Sequence, residues 1–157
     1  GQITMTFTPA TSLSHVIALC AAGLFPLAAQ GQSAEQEAAP ADGPKGLSIE
    51  LSAADDVGSA CRMSFLVQNG TGGDISQAVY EMVLFGGEGQ VALMTLLDFQ
   101  ELPSGRPRVR QFQFEGLACA DISRVLINGA ETCAGADEGA CIDGLELTTR
   151  TGTELIG

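Results

Sequence analysis

Tryptophan is absent from this 157-residue chain, histidine occurs once, and seven Lys and Arg residues face 19 Asp and Glu. Each shortage excludes a class of function. A formal net charge of -12 leaves no broad positive surface of the kind that nucleic acids require. The one histidine, His15, falls inside an N-terminal apolar run. A chain processed after that run has no Ser-His-Asp or Cys-His nucleophile system and no histidine-containing zinc centre. No glycine-rich fingerprint follows a strand in the order needed for a dinucleotide or a nucleoside triphosphate. "GGEG" at Gly86–Gly89 reads instead as a hairpin turn, and no cofactor is expected. Scarce Lys and Arg with recurrent Gly, Thr, Val and Phe also disfavour a helical bundle.

The apolar run itself, "HVIALCAAGLFPLAA" from His15 to Ala29 followed by "QGQSA", has the form of a signal-peptide core and its small-residue cleavage zone. It is short for a membrane span, so no stable span is expected once it is removed. A retained anchor is the competing reading, because no Lys or Arg precedes His15. Cys20 follows Leu19, where a lipoprotein signal wants a small residue, which argues against lipid anchoring. The expected organisation is a signal peptide over 1–31, a flexible Pro-bearing leader over 32–46 and a β-sandwich domain over 47–157.

Four cysteines remain beyond the signal: Cys61, Cys119, Cys133 and Cys141. An even count in an exported chain reads as two disulfides with three possible connectivities. Metal ligation competes poorly, since no C-x2-C pair is present.

From Leu47 onward the hydrophobic period is two. "LSIELSA" places Leu47, Ile49, Leu51 and Ala53 on one face. "CRMSFLVQN" turns Cys61, Met63, Phe65 and Val67 inward. "QAVYEMVLFG" and "QVALMTLLDFQ" are apolar on both faces, as in central or doubly covered strands. "GRPRVRQFQF", "DISRVLING" and "GLELTTRT" complete a set of about seven. With turn clusters between them, the expected fold is all-β, an antiparallel immunoglobulin-like sandwich. If strand directions alternate, Cys61 and Cys119 share one end of the sandwich and Cys133 and Cys141 the other. The favoured pairing is therefore Cys61–Cys119 and Cys133–Cys141.

Chemistry-bearing side chains are few. Asp98 with Glu101, and Asp55 with Asp56, are the carboxylate pairs that could serve an enzyme acting on envelope glycans, which would need them opposed across a cleft. Asp137, Glu138 and Asp143 share one loop with oxygen ligands suited to calcium, though the spacing is not that of an EF-hand and a solvated acidic loop is the simpler reading. Asn69–Thr71 matches a glycosylation acceptor. Three of the seven basic residues lie in one stretch, Arg106, Arg108 and Arg110. In an unbroken strand they share a face with Phe112 and Phe114. A bulge near Arg110–Gln111 would resolve that conflict by turning the arginines outward. They then serve either as edge protection or as contacts for a partner carrying carboxylates or phosphates.

The strings "DISQAVYEMVLF", "LLDFQELPSGRPRVRQFQFEGLAC" and "ISRVLING" resemble a group of small exported proteins of alphaproteobacteria of the Rhodobacter–Roseobacter kind. Some of that group are labelled for a Tat-type signal sequence. The resemblance covers roughly Leu47 to the C-terminus and implies a periplasmic or otherwise exported protein. The twin arginine of a Tat signal is absent here, which favours general secretion. The group brings no catalytic or binding residues, so none carries over. Together these observations point to a periplasmic or secreted module that binds or scaffolds an envelope protein or component.

Overall fold

The computed structural model describes residues Gly43–Gly157. The signal-peptide reading and most of the leader lie outside the described residues. Eight strands are described: β1 (Leu47–Val57), β2 (Ala60–Asn69), β3 (Gln77–Gly86), β4 (Val91–Asp98), β5 (Arg108–Glu115), β6 (Ile122–Ala134), β7 (Glu146–Thr149) and β8 (Glu154–Ile156). One 3-10 turn, Cys119–Asp121, precedes β6. Two four-stranded sheets form, with orders β5-β2-β1-β7 and β4-β3-β6-β8. The all-β sandwich expected from the period-two pattern is therefore present.

Alternation decides which side chains enter the core. Leu47, Ile49 and Leu51 from β1, Cys61, Met63, Phe65 and Val67 from β2, and Ala78, Tyr80, Met82 and Leu84 from β3 are all fully buried or nearly so. In β1 the register shifts between Leu51 and Ala53. Ala54 consequently packs against the core where unbroken alternation would have placed Ala53. The last expected strand divides in two. β7 pairs parallel with β1, β8 pairs parallel with β6, and residues 150–153 carry the chain between the sheets. Thr153 marks that crossing, its hydroxyl donating to the Ile122 carbonyl at 3.0 Å. This margin of the sandwich is thus closed by main chain.

Two expectations fail. β4, expected to be covered like β3, is the terminal strand of its sheet, with Met94 and Leu96 57% and 52% exposed. Apolar content on both faces records only composition, and an edge strand can carry it as well. The bulge near Arg110–Gln111 is also absent: β2 and β5 pair without a shift from Ala60↔Glu115 to Val67↔Arg108. Arg108, Arg110, Phe112 and Phe114 therefore share the inward face. They can do so because burial fades along the strand, from buried Phe114 to half-buried Phe112 and Arg110, so the arginines sit where the core runs out.

The four described cysteines form Cys61–Cys119 and Cys133–Cys141, the pairing that strand direction favours. The first ties β2 to the turn before β6 across 58 residues, and the second closes a loop of 8. On a chain-entropy basis, replacing Cys61 and Cys119 by Ala should cost about 4 kcal/mol, and the Cys133 and Cys141 pair about 2.5 kcal/mol. Urea unfolding of the two double variants checks that order.

Candidate functional site

The site is built where the chain leaves β4 and crosses to β5. Ala78 on β3 accepts from the Phe99 N–H at 2.8 Å and donates to the Gln100 carbonyl at 3.0 Å. Gln100 stands in the left-handed region at φ 59°, a conformation uncommon for a residue with a side chain. Asp98 supports it by accepting the Gln100 N–H on Oδ1 at 2.7 Å. The ladder is thereby broken after Phe99, and the Phe99 carbonyl reaches Arg110. Arg110 Nε donates to that carbonyl at 2.6 Å, while Nη2 donates to the Glu101 carbonyl at 2.9 Å and to Glu101 Oε1 at 3.3 Å. One guanidinium therefore satisfies two backbone carbonyls on the margin of the opposite sheet.

The ring of Phe99 lies in the middle of the core. It meets Tyr80 edge-on at 5.3 Å and 88°, with Phe65 at 5.6 Å and Phe112 at 5.1 Å. The Arg110 side chain, 15% exposed, thus holds the backbone of the residue around which the aromatic cluster packs. Glu101 is held below the ordinary carboxylate range first by a backbone hydrogen bond, then by the Arg110 and Arg108 charges.

The other two arginines are committed less. Arg108 stands 3.9 Å from Glu101 Oε1, and its Nη1 donates to the neighbouring Pro107 carbonyl at 3.3 Å. Arg106 precedes β5, is exposed, and makes no side-chain hydrogen bond or ion pair among the described residues. The structure brings all three to one margin but not to one role.

The remaining candidates have structural work. Asp98 Oδ2 accepts from Gln77 at 3.0 Å. Asp56 Oδ1 accepts the Cys119 N–H at 2.7 Å, and Asp55 lies 4.0 Å from Arg62. A hollow of about 450 Å³ beside the Cys133–Cys141 bond is lined by Ala130, Ala136, Ile142 and Glu138, among others. With one carboxylate, its lining lacks the opposed pair of a glycosidase. Asp137, Glu138 and Asp143 do not gather into a three-residue metal-binding group, and none occurs among the described residues. That loop is anchored from within, where the Tyr80 hydroxyl donates to the Cys141 carbonyl at 2.9 Å. Burial raises the Tyr80 pKa, so it stays a protonated donor. Asn69 is 3% exposed, and its amide donates to the Gly73 and Leu102 carbonyls at 2.9 and 2.6 Å. In the folded domain this acceptor motif is a buried tether.

Sequence reasoning missed the outer face of the β4-β3-β6-β8 sheet. Register aligns Met94 with Val83, Val83 with Leu126, and Leu126 with Ile156. The result is an apolar row across all four strands. Its signal is the apolar second face of "EMVLF" and "ALMTLL", which is covered at Val83 on β3 and open at Met94 and Leu96 on β4.

No family model and no curated protein matches the chain. Among solved structures, one described as the structural characterization of IrmA from Escherichia coli is similar at 13% identity and a TM-score of 0.46. The match covers 65% of this chain and 90% of that one. At that level the likeness assigns no function.

Removing the Arg110 fork should cost about 2 kcal/mol, because two carbonyls lose charge-assisted partners. Arg108→Ala, a partly exposed ion pair, should change stability by less than about 0.5 kcal/mol. Urea unfolding of Arg110→Ala, Arg110→Lys and Arg108→Ala checks this, with Lys recovering less than half of the loss because it lacks the fork. Glu101 has a lowered pKa, so its share is present above the ordinary value of 4.5 and is lost as pH falls through the depressed value. Glu101→Gln should remove that acid-dependent part of the unfolding curve.

Proposed function

We propose that this chain is an exported module of the periplasm or cell exterior that binds or scaffolds a protein or other component of the cell envelope. The observation that carries the reading is the apolar outer face of the second sheet, which is open at its two margins. Met94 is 57% and Leu96 52% exposed on β4 and Ile156 40% exposed on β8, while Val83 between them is buried and Leu126 half-buried. Adjacent exposed apolar side chains such as Met94 and Leu96 are the kind of surface that interaction sites use. The two disulfides support an oxidising compartment. No helix among the described residues is long and apolar enough to cross a membrane. The sheet order sets β1, β2 and β5 against β3, β4 and β6, which is in keeping with an immunoglobulin-like binding module.

Within this reading, partner contact at the arginine margin falls to Arg106 and Arg108, because Arg110 is engaged with Phe99 and Glu101. A photo-crosslinking residue at Leu126, in chain exported by an alphaproteobacterium, tests the face directly. Crosslinked envelope partners should be recovered with the wild type, lost in Ile156→Lys and weakened in the Arg106→Ala, Arg108→Ala double variant. A partner set that is identical in all three would overturn the proposal. Peptide mapping of the unreduced exported chain should find both disulfides intact and the N-terminal segment removed.

A further inference from the structure

The two sheets end differently on the margin that β4 and β5 share. β5 begins after Pro107 and carries Arg108 and Arg110, the charged and proline-bearing devices that keep edge strands from pairing. β4 has none of them. From Val91 to Leu97 it contains no charge and no proline, and it runs for 8 residues, longer than β7 or β8. Arg110 caps the carbonyls of Phe99 and Glu101, just beyond its end, and nothing among the described residues covers the strand upstream.

The backbone direction of that free edge follows from the β3 ladder. Ala78 exchanges hydrogen bonds with Phe99 and Gln100, so bonding positions recur at Tyr80, Met82 and Leu84, whose partners are Leu97, Thr95 and Leu93. The N–H and C=O groups of Met94 and Leu96 consequently face away from β3, toward open solvent. Their side chains are also the exposed ones, at 57% and 52%. A register shift between Leu84 and Phe85 limits the regular edge to Leu93 onward.

We propose that β4 is a self-association edge, pairing antiparallel with β4 of a second copy about a two-fold axis at Thr95. Residues opposed across an antiparallel pair share a face, so the register must join residues of equal parity. Centring on Thr95 sets Met94 against Leu96 on the outer face and Leu93 against Leu97 on the inner one. It also places Asp98 against Ala92 rather than against Met94, which is the fault of the register two residues on. An incoming strand must be uncharged and apolar at alternate positions, and β4 meets its own requirement. The two four-stranded sheets then continue as one, and the Met94–Val83–Leu126–Ile156 rows of both copies form a single outer surface. The pairing stands independently of any envelope partner.

One edge buries less than the about 1,200 Å² of an ordinary stable interface, so the dimer is weak. The net charge of -12 opposes it at long range, and association should therefore tighten as ionic strength rises from about 20 mM to about 150 mM. Sedimentation equilibrium on the full exported chain provides the test. The wild type should pass from monomer to dimer below about 1 mM, the weak end of the affinity range. Leu96→Pro removes an edge-facing N–H that the β3 ladder does not use, and Leu96→Lys keeps the backbone while adding an edge charge. Each should weaken the dimer at least about tenfold, a difference of about 1.4 kcal/mol, while both disulfides still form. Arg106→Ala with Arg108→Ala should leave it unchanged. Amide exchange at Met94 and Leu96 should slow as wild-type concentration rises. A wild type that is monomeric throughout, a dimer untouched by both Leu96 variants, or concentration-dependent protection confined to another strand would each overturn the proposal.

Discussion

The carbonyl of Phe99 is the point on which one whole side of the sandwich depends. The Phe99 ring sits among Tyr80, Phe65 and Phe112, while its carbonyl lies on a sheet margin where no strand is available to bind it. A polar group left unpaired there would offset much of what the ring contributes by burial. Arg110 resolves both demands because its donors form a fixed fork, reaching two carbonyls and one carboxylate from a neighbouring sheet. The opposite side has no such requirement, since the crossing at residues 150–153 closes it with backbone and with the Thr153 hydroxyl. The chain crosses between the sheets at both margins, and at the β4–β5 margin the Arg110 fork works beside the Ile75–Leu102 and Gly105–Asn69 backbone bonds.

The acidic side chains are likewise committed to structure. Asp98, Glu101, Asp55 and Asp56 each hold a turn, a guanidinium or a disulfide-bearing backbone in place. Carboxylates used this way are not free to face one another across a cleft. The surfaces left open are the apolar outer face of the second sheet, the arginines at the first sheet's edge, and the β4 strand. Arg110 also marks where that strand stops being available, because its fork occupies the carbonyls just past Asp98.

Several features were legible because they depend on local period. The buried faces of β1, β2 and β3 follow from residues two apart, and strand direction alone was enough to pair Cys61 with Cys119 and Cys133 with Cys141. The conflict between Arg110 and Phe112 was equally visible, but its solution was not. A bulge moves side chains across a sheet; the protein instead keeps the register and lets the core end. Choosing between these requires knowing how far the opposite sheet extends, which no window of sequence contains. The same gap hid β4, whose apolar second face looks identical whether a layer covers it or water does.

The sequence by itself determined the strand-rich class, the inward set of apolar side chains and the cysteine framework, because each is a matter of composition or of spacing along one strand. Only the tertiary structure decided which strands became edges, where the core ran out, and what each carboxylate and arginine would touch. Those outcomes arise between segments far apart in the chain, as when Arg110 meets Phe99 or Tyr80 meets Cys141. They are set by sheet order and margin geometry, to which neighbouring residues are blind.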